Sequence, residues 1–177
     1  MRTMWTTTDS PVGELRIIAS RTAITAIEFD GPAPAGVSPR SSASRAAALS
    51  AGRPVGDRDD AHPLLLEAVR QLRAYFAGEL KEFDLPLAPQ GTTFQRSVWD
   101  QLQRVVYGET VTYGEVARRL GMTAAASRAV GLANGRNPIP IVIPCHRVVG
   151  ADGTLTGYAG GVDRKQTLLD LEQGALF

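Results

Sequence analysis

The apolar pattern of this chain opens at strand spacing and is mostly helical from residue 91, and that shift constrains its fold more than any other feature. Trp5, Leu15, Ile17, Ile18, Ile24, Ile27 and Phe29 fall at strand-like spacing, which predicts strands over 3–8, 13–19 and 22–29. Ser10–Gly13 and Ser20-Arg21 punctuate them as turns, so an antiparallel meander is expected. Residues 31–61 hold four prolines, four glycines and no aromatic side chain. Such a stretch buries too little apolar surface to offset its ordering entropy and reads as a long flexible loop. Pro63 suits a first helical turn, Leu65, Val69, Leu72 and Phe76 recur at helical spacing, and Gly78 ends the run. Phe83, Leu85 and Leu87 alternate as a short strand, which Pro86 confines to an edge. Residues 1–90 therefore predict a small α+β domain with a structural role.

The pattern from residue 91 to 177 is mostly helical. Thr92-Thr93 can cap a helix carrying Phe94, Val98, Leu102 and Val105. Tyr107-Gly108-Glu109 reads as a turn. Thr112 and Glu115 have capping-box spacing at the head of a helix that runs to Leu120 and stops at Gly121. Thr123 can cap the next helix, Ala124 to Ala133, which ends at Asn134-Gly135. Two short helices around a glycine turn form a helix-turn-helix pattern. The second is nearly bare on one face, with Arg128 its one long side chain. That face suits either close approach to another surface or tight internal packing with Arg128 in solvent.

The total charge of +1 gives no global signature of a nucleic-acid partner. From 96 to 147, however, seven arginines face three carboxylates, for +4, and from 148 onward the balance is −2. A local basic patch can hold phosphates, or it can be an ordinary solvated surface. The single cysteine forbids an intrachain disulfide, and with two histidines it leaves too few ligands for a Cys/His zinc site. No metal or cofactor is expected. Met1 to Asp9 has no apolar core of a signal peptide, and no apolar run reaches membrane-spanning length. The expectation is a cytoplasmic, monomeric protein.

Chemistry concentrates at Pro144-Cys145-His146-Arg147. Ile139 to Ile143 is apolar and β-branched, which predicts burial, and Pro144 delivers the cysteine at its end. A thiolate is the nucleophilic form, and neighbouring cationic or basic groups favour it. His146 and Arg147 are candidates for that work, while an inert buried cysteine is the competing reading.

Pro144-Cys145-His146-Arg147-Val148 resembles the signature of the O6-alkylguanine-DNA alkyltransferases. Tyr107 to Tyr113, Ser127 to Gly131, Asn137-Pro138, Gly157 to Gly161 and Arg164 to Glu172 are similar to the family in order and spacing. The resemblance is strong over 92–173 and looser before it. It implies a ribonuclease H-like N-terminal domain, then a winged-helix-like domain that binds duplex DNA containing O6-alkylguanine. Cys145 would accept the alkyl group, His146 would take its proton through a water, and Glu172 would orient the imidazole. Asn137 would brace the cysteine turn, and Tyr113 would contact a phosphate and protonate the leaving base. Arg128 would replace the extruded nucleotide, with Gly114, Ala126, Ser127, Gly131 and Ala151 also facing DNA. Val148, Tyr158, Ala159 and Gly160 would line the guanine pocket. The resemblance further implies one turnover per molecule and no cofactor. Activity on O4-alkylthymine and cooperative binding stay open.

Two other readings compete. A pure DNA-binding module would recognise lesions without transfer. A cysteine hydrolase or thiol oxidoreductase would turn over repeatedly and ignore DNA.

Overall fold

A computed structural model describes residues 2–30, 56–156, 158 and 160–174. The chain forms two compact units, Met1–Pro89 and Gln90–Phe177. Most of the 31–61 stretch lies outside the described residues.

In the first unit, β1 (Met4–Thr8), β2 (Glu14–Ala19) and β3 (Ile24–Asp30) make the expected antiparallel meander. Leu15 and Ile17 of β2 are fully buried. Helix α1 (Pro63–Phe76) packs on β1 and β2 and buries Leu65, Ala68, Leu72, Tyr75 and Phe76. Gln71, also buried, donates to the Asp84 carbonyl and accepts from the Asp84 amide, both at 2.9 Å. This fixes the chain that follows the helix.

Two expectations need correction here. Residues 56–61 are not loop throughout, because Asp57–Arg58 form β4, paired in parallel with Met4 and Trp5 at the sheet edge. Edge pairing uses backbone groups, so a polar dipeptide can supply it. Gly56 permits the approach, since a Cβ there would lie 1.8 Å from the Thr3 carbonyl oxygen. Conversely, Phe83–Leu87 is not a strand but a single bridge from Leu87 to Ile24. The Ile24 amide donates to the Pro86 carbonyl and the Ala88 amide to the Ile24 carbonyl. Pro86 has no N–H with which to extend a ladder.

In the second unit, α2 (Thr93–Leu102) opens on a complete capping box between Thr92 and Gln95. Its Trp99 is buried and donates from Nε1 to the Ala133 carbonyl at 2.9 Å. The helix ends at Leu102, and Val105 is buried in the turn beyond it. Strand β5 (Val111–Thr112) runs into α3 (Tyr113–Arg119), where Thr112 and Glu115 form the second capping box. The next element begins as a 3-10 turn, Ala124–Ala126, before α4 (Ser127–Gly135). Thr123 makes no side-chain cap. The Ser127 hydroxyl instead donates to the Ala124 carbonyl, closing the tighter turn. Strand β6 (Val148–Val149) pairs in parallel with β5, and α5 (Val162–Glu172) completes the unit. The architecture is α+β: a small sheet with a helix, then a mostly helical unit carrying the helix-turn-helix pair.

Candidate functional site

Cys145 opens a 3-10 turn, Cys145–Arg147, and its residue is only 2 % exposed. The approach to it is a series of tight turns rather than a strand. The Val142 amide donates to the Pro140 carbonyl and the Cys145 amide to the Ile143 carbonyl. Ile141, between the first pair, has φ +73°, a conformation that is unfavourable for a β-branched residue. Asn137 holds this segment together. Its Nδ2 donates to the Ile143 carbonyl at 2.8 Å and its Oδ1 accepts from the Ile139 amide at 3.0 Å. Its side chain also favours the Cys145 thiolate, against the effect of burial. Asn134 Nδ2 donates to the Cys145 carbonyl at 3.3 Å. Asn137 thus stands where a brace for the cysteine would stand, and Asn134 adds a second tie that the sequence did not single out.

Behind the cysteine is a buried polar chain. His146, with no exposed surface, places Nε2 2.9 Å from Glu172 Oε1. Glu172, from the last turn of α5, also accepts from Arg147 Nε and Nη2, the shortest bond being 2.6 Å. Arg147 Nη1 donates to the Val105 carbonyl at 2.6 Å. The His146 Nδ1 atom is buried and has no hydrogen-bond partner among the described residues. Bonded to a carboxylate at Nε2, the neutral ring carries its proton there and leaves Nδ1 as an acceptor.

Burial dominates the electrostatics. It pushes the Cys145 thiol up to about 11, against the opposing effects of the Asn137 side chain and the Lys165 charge. It also lowers His146 below the ordinary histidine value, although Glu172 pulls the other way. Glu172 is the reverse case. Burial alone would raise it, but hydrogen bonds from His146 and Arg147 prevail and hold it at about 2. The Arg147 guanidinium is therefore committed to Glu172. The cation that acts on Cys145 is Lys165, a residue the sequence reading passed over.

Lys165 is fully buried on α5. Its Nζ donates to the carbonyls of Val148 and Thr156, the latter at 2.9 Å. The Tyr113 hydroxyl donates to the same Thr156 carbonyl at 2.8 Å. Burial raises the Tyr113 phenol above its ordinary value, so it remains a proton donor at neutral pH. Val148, Tyr158 and Gly160 are buried, and Ala159 lies outside the described residues. The structure brings Cys145, His146, Glu172, Asn137 and Tyr113 into one neighbourhood of the second unit.

The predicted DNA-facing residues differ in exposure. Ala124, Ala125, Arg128, Ala129 and Leu132 are exposed, so the bare face of α4 is not consumed by packing within the unit. Ala126 and Ser127 are partly exposed, and Ala151 is exposed in the turn after β6. Gly131 faces inward to Tyr113, whose ring would be 3.7 Å from an added Cβ. Gly114 faces Ser127 Oγ, which would lie 3.5 Å from a Cβ. At both positions an added Cβ would meet only ordinary van der Waals contacts.

Residues 93–174 match the 6-O-methylguanine DNA methyltransferase DNA binding domain, and residues 3–89 match the ribonuclease-like domain of the same family. A methylated-DNA–protein-cysteine methyltransferase of Methanosarcina acetivorans is 66 % identical over 106 residues, 60 % of this chain and 67 % of that protein. One of Mycolicibacterium paratuberculosis is also 66 % identical over 106 residues, 64 % of its own length. The crystal structure of the Mycobacterium tuberculosis O6-methylguanine methyltransferase superimposes with a TM-score of 0.78 at 44 % identity, covering 97 % of this chain and 93 % of that one. The Mycobacterium tuberculosis protein has also been solved in complex with DNA, and this chain matches that structure with a TM-score of 0.78 at 42 % identity. No helix among the described residues is long and apolar enough to cross a membrane.

Proposed function

The chain belongs to the 6-O-methylguanine DNA methyltransferase family, whose members move a methyl group from DNA to a protein cysteine, and from that premise we propose how its own residues repair DNA. Cys145 takes the alkyl group from O6-alkylguanine in duplex DNA. The observation that carries this reading is the juxtaposition of Cys145 with the buried His146–Glu172 pair.

The proton path follows from the hydrogen bonds. Glu172 fixes the proton of His146 on Nε2, so Nδ1 can accept the thiol proton through one water. The neutral state favoured by burial keeps the imidazole available as a base. The sulfur then attacks the alkyl carbon. A carbon–sulfur bond forms as the carbon–O6 bond breaks, and the released electron pair stays with guanine. Tyr113 helps return a proton to the base. The product is a thioether, which has no easy hydrolytic route, and the chain has no second cysteine to accept the group. Each molecule therefore acts once.

A base stacked in a duplex hides its O6 substituent, so the lesion must be flipped out, at a cost of a few kcal/mol. Arg128, exposed on the small-residue helix, would fill the gap left behind, while Ala126, Ser127 and Ala151 would approach the backbone. Val148, Tyr158, Ala159 and Gly160 would receive the extruded guanine. Recognition mainly through phosphates suits a protein that searches without sequence preference.

Cys145→Ala tests the reading. Demethylation of a duplex carrying O6-methylguanine should be abolished while binding to that duplex persists. A variant that still removes the methyl group would overturn it.

A further inference from the structure

Among the described residues Glu172 is the one buried carboxylate, and its unit buries three side chains of the opposite sign, Arg147, Arg164 and Lys165. Two side chains divide this carboxylate. Arg147 takes the larger share, with Nε 3.0 Å from Oε2 and Nη2 2.6 Å from Oε1, while His146 Nε2 lies 2.9 Å from Oε1. The guanidinium is anchored on its far side, where Nη1 donates to the Val105 carbonyl at 2.6 Å. A buried carboxylate facing a histidine alone would draw a proton onto the ring, because an isolated charge is costlier in the interior than an ion pair. The imidazolium so formed could not accept a thiol proton. Here an arginine, which is always charged, already balances the carboxylate, and a protonated His146 would add an uncompensated charge to the interior. We propose that Arg147 is a positioning residue that acts through Glu172: by holding the carboxylate it keeps His146 neutral and free to take the proton of Cys145. This inference rests on the transfer reading above and gives the arginine of the cysteine motif a task apart from DNA and from the sulfur.

The arrangement gives up some strength of the base for its availability. The S–H bond breaks and its proton passes through a water to His146 Nδ1. Nε2 keeps its own proton toward Glu172, and Arg147 keeps its charge throughout. Glu172 favours the imidazolium that forms, and Arg147 opposes it. The other groups around the ring act in the same sense as Arg147 or stand aside. Burial is the largest influence holding His146 below the ordinary histidine value, and the Lys165 charge adds to it. Tyr107, whose ring centroid is 5.8 Å from the Arg147 guanidinium carbon, has a phenol raised by burial and stays uncharged, as does Tyr113. On α5, Arg164 donates to the Gly160 carbonyl, Asp163 is exposed, and Asp170 accepts from Gln166. On α2, which also packs on the cysteine turn, Arg96 and Asp100 are exposed.

The pH dependence of transfer separates this task from a structural one. Single-turnover reaction with free O6-benzylguanine reads it without DNA binding. In Arg147→Met the acid limb of the rate should lie about one pH unit higher than in the unaltered protein. The variant should then be roughly tenfold slower at about pH 6.5, with the gap closing as pH rises. Arg147→Lys, which restores a cation, should bring the limb back toward its original position. A loss in Arg147→Met by the same factor at every pH would reduce Arg147 to a tether between α5 and the cysteine turn and overturn the inference. Should Arg147→Met fail to fold, nitrogen NMR of the imidazole in the unaltered protein decides. At about pH 6.5, the ordinary histidine midpoint, His146 should be neutral and protonated on Nε2. A ring protonated on both nitrogens there would overturn the inference equally. An imidazole titration that rises in Arg147→Met, in a protein that never transfers an alkyl group, would fault the transfer reading and uphold the inference.

Discussion

The two units bury different things. Among the described residues, the buried polar side chains of the first unit are Thr6, Thr8, Ser20 and Gln71, all uncharged, whereas the second buries Asn134, Asn137, His146, Arg147, Arg164, Lys165 and Glu172. Three ion pairs of the first unit, Arg2–Asp57, Arg58–Asp60 and Arg70–Glu67, keep substantial solvent exposure. Glu67 and Glu172 make the contrast concrete. Both are held near pH 2, Glu67 by Arg70 and Gln71, and Glu172 by His146 and Arg147 against the effect of burial. The Glu67 carboxylate keeps 43 % of its side-chain surface and the Glu172 carboxylate 1 %. Water screens the first and not the second. Similar ionisation thus carries different weight, and a buried ionic network is kept where chemistry needs a fixed, dry arrangement of charge.

The largest effect expected is at Glu172. Glu172→Ala leaves the Arg147 guanidinium buried without its carboxylate, and removing one member of a buried pair costs about 3–5 kcal/mol. Urea unfolding should show that loss. The milder Glu172→Gln should slow single-turnover transfer with little change in DNA affinity, and an unchanged rate would remove Glu172 from the activation step.

The same pair sets an acid limit. The Glu172 carboxyl lies below its ordinary 4.5, at about 2, in the folded protein. Its contribution is therefore complete above pH 4.5 and is lost as pH falls toward 2. The stability gap between the unaltered protein and Glu172→Gln should shrink over that window in unfolding titrations. A gap that widens there would contradict the sign.

Arg128 sharpens the comparison within the second unit, since it is exposed where Arg147 is buried. Arg128→Ala should lower repair of duplex DNA by about tenfold or more, the scale of losing a base-replacing contact. Reaction with free O6-benzylguanine should barely change. Equal losses on both substrates would remove the finger role. At the small end, Glu67→Gln should leave the melting temperature essentially unchanged, in low or high salt. A clear drop would break the contrast between the units.

Much of the local structure was legible because its causes are local. Thr92-Thr93 as a cap and Thr112 with Glu115 as a capping box announce helix starts locally, and capping boxes form at Thr92 and at Thr112. The strands β1 to β3 follow from apolar spacing and turn residues. What escaped depends on distant partners. Asp57–Arg58 joins the sheet through backbone groups that any residue carries. Gly131 turned out to face Tyr113, a contact set by how α3 and α4 cross. Lys165 escaped for a related reason, since lysine is almost never buried and the sequence of α5 does not show which side faces the core. The motif around Cys145 was plain, but the commitment of Arg147 to Glu172 became visible only when α5 was placed beside the cysteine turn.

The most direct test of the account is the intact mass of the protein after mixing with excess duplex carrying one O6-methylguanine. The account predicts the mass of one added methylene, mapped to the Cys145 peptide and stopping at one equivalent. An unchanged mass with the lesion still bound, or repeated turnover on an unmodified cysteine, would contradict it.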